Sequence, residues 1–103
     1  MRKIVLALAA FLWAPHTIAG DYREEVLFAC KVQSELAEVI MQSRQHGITI
    51  SRMVEQVKGD DVALALVLVA YKKPRLGTKE AIDREVQEFS SAAYLRCFDR
   101  ATQ

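Results

Sequence analysis

The sequence predicts an all-α fold: a compact four-helix domain with two long and two short helices, and one disulfide joining the first helix to the last. Three observations carry this. Apolar residues recur at helical spacing between the punctuating glycines Gly47, Gly59 and Gly77. Residues that cap helices stand ahead of each periodic stretch. The only two cysteines, Cys30 and Cys97, fall in the first and last stretches. The chain has 103 residues, 51% hydrophobic and 26% charged, a composition that suits one small core and excludes a disordered chain or a second large domain.

Residues 1–19 read as an export signal. Arg2 and Lys3 give a charged start, Ile4 to Trp13 is an unbroken apolar run, and Pro15 interrupts it. Thr17 and Ala19 then supply small residues ahead of a cleavage that leaves Gly20 first. The competing reading is a retained anchor. Ten apolar residues reach only about 15 Å as a helix, half of a bilayer core. Gly20, not a cysteine, stands directly after the cleavage point and the first cysteine is Cys30, so a lipid anchor there is excluded and no stable membrane anchor is expected after cleavage. The product, 20–103, is expected to be a single helical domain in the periplasm or outside the cell.

The first helix is expected over about 21–46. Asp21 is its N-cap, with Glu24 reaching back to it and Glu25 favouring the positive end of the dipole. Val26, Ala29, Cys30, Leu36, Ala37 and Ile40 share one face, which Phe28, Val32 and Val39 widen. Gly47 stops the helix in a left-handed cap. The second helix is short, about 51–58, capped by Thr49 and ended by Gly59, with Met53, Val54 and Val57 inward.

The third helix starts behind Asp60 or Asp61. Val62 to Tyr71 contains no charged residue and, apart from the terminal tyrosine, no polar one, so burial on all sides is expected. A buried strand is the alternative, since three valines lie in the run. Ala and Leu supply most of it, an acidic pair precedes it and Lys72 and Lys73 follow it, which favours a helix. The fourth helix begins behind Thr78 and runs to about Arg100. Ile82, Val86, Phe89, Ala93 and Cys97 form its core stripe.

An even number of cysteines in an exported chain reads as a disulfide, Cys30 to Cys97. Metal use lacks helpers, because His46 is the only histidine after residue 19, and a redox pair is ordinarily closer in sequence. Cys30 early in the first helix and Cys97 late in the last require those helices to lie antiparallel. The third helix would then fill the middle.

Two groups stand out as candidate partner-binding residues. Lys72, Lys73, Arg75 and Lys79 cluster around Pro74 in the last connection, where they could meet an anion or a partner, or simply solubilise a helix end. Tyr94, Leu95 and Phe98 exceed what the core stripe needs, and would either anchor a partner or cover the disulfide, with Tyr22 and Phe28 joining them. His46 stands where a cation complements the helix dipole. Glu35, Glu38, Glu85 and Glu88 fall on solvated faces, and no nucleotide, zinc or nucleophile motif is present, so no catalytic residue, metal or cofactor is expected.

Phe28-Ala29-Cys30, Tyr71-Lys72-Lys73-Pro74-Arg75 and Tyr94-Leu95-Arg96-Cys97, behind a short signal, resemble small exported proteins of unknown function in Gram-negative bacteria and their prophages. That resemblance implies no activity. Small helical periplasmic acid chaperones also carry two cysteines, but theirs lie much closer together.

The balance of 14 Lys+Arg against 13 Asp+Glu turns slightly negative once Arg2 and Lys3 are removed, which argues against nucleic acid as a partner. The expectation is a non-catalytic interaction module of inhibitor, immunity or regulatory type, bound to an unidentified protein. A periplasmic stress chaperone that opens to expose the third helix is the alternative, and a small hydrolase ranks last.

Overall fold

A computed structural model describes the backbone of residues 2–103 and the side chains from Arg23 onward. It is all-α, with helices α1 (Arg2–Gln45), α2 (Ile50–Gln56), α3 (Asp61–Ala70) and α4 (Lys79–Ala101). α1 does not begin at Asp21 but continues toward the amino terminus, where Ala- and Leu-rich sequence with high helix propensity lies ahead of it. The side-chain readings made for the export signal, for the cap at Asp21 and for Tyr22 lie outside the described side chains.

The other helix boundaries follow from local chemistry. α1 ends in a Schellman turn: Gly47 takes φ +85°, its N–H reaches the Arg44 carbonyl, and the Ile48 N–H reaches the Ser43 carbonyl at 3.1 Å. Thr49 caps α2 by accepting from the Arg52 N–H, Asp60 caps α3 through the Ala63 N–H, and Thr78 caps α4 through the Ala81 N–H. α2 stops at Gln56, two residues short of its expected end, and a turn carries the chain to Gly59, whose φ is +90°.

α1 is the spine. α4 lies along it, α3 packs against it, and α2 packs on α3. The main core joins Ala37, Ile40 and Met41 of α1 to Met53, Val67, Ala70, Val86, Phe89 and Ala93. A smaller cluster surrounds the bond between Cys30 and Cys97, with Val26 buried beside it and Tyr94, Phe98 and Ala101 packed on top. The Ser90 hydroxyl donates to the Ser34 carbonyl at 3.0 Å, a polar stitch between α4 and α1.

The α4 stripe is buried as the periodicity predicts, with Ile82 half-buried at its start. Several expectations fail, and Ala29, expected on the core face of α1, is exposed. Phe28, Val32 and Val39 do not widen the core face of α1; they are exposed, Phe28 by 71%, and Phe28 does not join the disulfide cluster. α3 and α4 supply most of what packs against α1, so its core stripe is narrower than its apolar content. α3 is not buried on all sides either. Ala63, Val67 and Ala70 face the core, while Val62 and Leu68 are 38% and 46% exposed. α2 is too short and α4 too far aside to cover the rest of α3. It is a flanking element, not the centre of the domain.

The disulfide ties residues 67 positions apart. In the chain-entropy model such a loop stabilises the fold by about 4 kcal/mol. Reduction, or Cys97→Ser, is expected to lower the unfolding free energy by about that amount in denaturant titrations. Alkylation of the unreduced, denatured protein is expected to label no thiol.

Candidate functional site

Two places merit description: the junction where the α3–α4 connection meets the end of α1, and the seam between α3 and α4.

The junction is built on Gln45, the last residue of α1, which is only 4% exposed. Its amide makes two bonds to the connection. Nε2 donates to the Pro74 carbonyl at 3.0 Å, and Oε1 accepts from the Leu76 N–H at 2.8 Å. A side-chain amide can thus copy a strand-like pairing with a stretch whose proline offers no N–H. On either side, Arg44 Nε donates to the Lys73 carbonyl at 3.1 Å and Arg75 Nε donates to the Gln45 carbonyl at 3.4 Å. The Tyr71 hydroxyl donates to the Ile48 carbonyl at 2.6 Å, and the Arg44 guanidinium stands 5.2 Å from the centre of the Tyr71 ring. Among the described residues, no buried side-chain nitrogen or oxygen is left without a partner.

This geometry divides the basic cluster. Arg75, itself exposed, reaches back to the carboxyl end of α1, where a cation also favours the dipole. Lys73 lies 3.9 Å from Glu85, and Lys79 bonds Asp83 one turn along α4 at 2.7 Å, which raises the Lys79 pKa. Lys72 is exposed. Of the four, Arg75 alone lines the hollow of about 370 Å³ that it shares with Arg44, Gly47, Ile48, Thr49, Ile50 and Tyr71. His46 is exposed, and its Nδ1 lies 2.7 Å from the Gln42 carbonyl at the end of α1.

Of the aromatic group, Tyr94 and Phe98 pack on the disulfide cluster, while Leu95 points away from α1 and is 62% exposed. The seam beside them is more open. α3 and α4 both lean on α1 and share its core through Val67, Ala70, Val86, Phe89 and Ala93, but their backbones approach each other at few positions. One hollow of about 420 Å³ opens between Val62 and the disulfide end, floored by Ala29, Cys30 and Gln33. A second, about 240 Å³, lies further along between Leu66 and Val69 of α3 and Phe89 and Ala92 of α4, rimmed by Lys73, Glu85, Glu88 and Arg96. Among the described residues, no three His, Cys, Asp or Glu side chains gather as metal ligands, and no helix is long and apolar enough to cross a membrane.

Sequence reasoning missed Arg44, Gln45 and Tyr71. The available signal was Gln45 itself, a polar residue four positions after Met41 on the apolar face of α1. A buried polar side chain there requires partners, and the nearest candidates are backbone groups of a proline-containing turn.

Two outcomes follow from the junction. Gln45→Leu leaves the Pro74 carbonyl and the Leu76 N–H without their partner, so a loss of about 2 kcal/mol in unfolding free energy is expected by denaturant titration. Burial raises the Tyr71 pKa above its ordinary 10.0, with Arg44 opposing the rise. The folded state therefore holds this proton more tightly than the unfolded one. The contribution of Tyr71 is fully present below pH 10.0 and is lost as pH climbs through the higher folded value. The stability gap between the parent protein and Tyr71→Phe should narrow above that pH and stay constant below it. No family model, curated protein or solved structure matches this chain.

Proposed function

We propose that this chain is an exported, disulfide-locked interaction module without catalytic chemistry of its own, and that its binding face is the α3–α4 seam. One observation carries the reading. Two helices anchored to a common spine leave two hollows between them, one beside Val62 at the disulfide end and one lined by Leu66, Val69 and Ala92 over the buried Phe89, and we read them together as one channel. Such a channel is the receiving half of a helix-in-groove contact. α3 is 10 residues long, so the channel accepts about 15 Å of a partner helix. Its rim carries both signs of charge, Lys73, Arg96 and Arg100 beside Glu85 and Glu88, which suits an amphipathic helix with mixed flanks. The export signal and the disulfide together support an oxidising compartment.

The test uses the native host. A photo-crosslinking residue at Ala92, inside the seam, is expected to give a discrete adduct, and the same residue at Gln87, on another face of α4, none. Ala92→Glu, an exposed position in the seam, should remove the adduct formed from a crosslinker at Leu66 while the helical circular dichroism is unchanged. Equal adducts from both faces, or none from the seam, overturn the proposal. Amino-terminal sequencing of the purified exported protein should begin at Gly20.

A further inference from the structure

The hollow at the end of α1 is independent of the seam. Arg44 reaches it from the last turn of α1, and Arg75 from the connection between α3 and α4. Each guanidinium spends its Nε on a backbone carbonyl, Arg44 on Lys73 and Arg75 on Gln45. Those bonds fix the orientation of both planar groups and leave the Nη ends as donors. Gly47 gives Arg75 its seat: a Cβ there would stand 3.3 Å from Nη2 of Arg75, and the φ of +85° disfavours a side chain as well.

What the hollow lacks is an anion. The ion pairs between described residues join Lys73 to Glu85 and Lys79 to Asp83, and neither arginine has a carboxylate within that range. Tyr71 supplies no negative charge, because its hydroxyl donates to Ile48 and burial holds the phenol neutral. Two like charges held in one hollow, with their orientation set by other bonds, form a fork of donors without an acceptor. Of the remaining walls Ile48, half-buried, and Ile50, 44% exposed, are apolar, and the Thr49 hydroxyl between them is already taken by the Arg52 N–H.

We propose that this hollow binds a carboxylate carried on an apolar group, the Nη atoms of Arg44 and Arg75 gripping the oxygens while Ile48 and Ile50 hold the hydrocarbon. A planar carboxylate matches the guanidinium fork, and the isoleucine walls favour an anion with a hydrocarbon attached over a strongly hydrated phosphate. The carboxylate comes from a free small acid or from the last residue of a polypeptide.

The experiment is a titration of the whole disulfide-bonded protein, followed by NMR of the Gly47 amide and the arginine Nε–H groups. The probes are N-acetyl-leucine, its uncharged analogue N-acetyl-leucinamide, and inorganic phosphate. Saturable shifts at these groups with N-acetyl-leucine, and none with the amide, are expected. Arg44→Gln and Arg75→Gln should each weaken binding by about tenfold or more. Because both arginines also hold backbone, Ile50→Glu serves as the second variant. It places a carboxylate in the hollow at an exposed position and should abolish binding with the helical signal intact. Identical shifts from acid and amide, phosphate binding as tightly as the acid, or an unchanged affinity in Ile50→Glu overturns the proposal. A peptide ending in free leucine that binds more tightly than N-acetyl-leucine assigns the site to polypeptide termini, and equal affinity assigns it to small acids.

Discussion

The antiparallel pairing of α1 with α4, sealed by the sulfur bridge between Cys30 and Cys97, is the constraint on which the other elements rely. α2 and α3 have 7 and 10 residues, too few to persist as isolated helices in water. They persist because Met53, Val67 and Ala70 find Ala37, Ile40 and Met41 on a spine already fixed in place. The covalent bond acts chiefly on the unfolded chain, and the packing of Phe89 and Ala93 on α1 does the same work in the folded one.

A second fastening sits at the other end of the same face of α1. Gln45 lies about 22 Å along the helix axis from Cys30, and holds the α3–α4 connection through two hydrogen bonds of its amide. Between them, the two fastenings set where α3 leaves the spine and where α4 rejoins it. The gap between those helices is a consequence. α3 is held at its Tyr71 end and α4 at its Cys97 end, and nothing in the short connection draws the two together along their length. The open seam and the arginine-lined hollow are thus products of one arrangement, on different faces.

Much of this frame was legible in the residues. Caps at Thr49, Asp60 and Thr78 and the left-handed turn at Gly47 are local chemistry, and local chemistry is written in the sequence. The 82–97 stripe was legible because a single face of α4 meets a single neighbour. The exposure of Val62, Leu68, Phe28 and Val32 was not. Apolar character shows that a side chain prefers shelter and is silent on whether enough chain exists to shelter it. With four helices, two of them short, there is not. The surroundings of the basic cluster were hidden for a related reason. Charges adjacent in sequence around Pro74 point in different directions once the turn is folded, and Arg44, far away in sequence, becomes the true neighbour of Arg75.

The ring closed by the two sulfurs has a consequence for how the molecule is destroyed. α2, α3, all three connections and most of α4 lie inside it. A protease that severs one peptide bond at the Gly59 turn or near Gly77 makes a nicked molecule, not two fragments, since both pieces stay tethered across the spine. Clearance then demands either a second incision or a reductant, so the lifetime of this domain among proteases is governed by the redox state of its surroundings as much as by the proteases present.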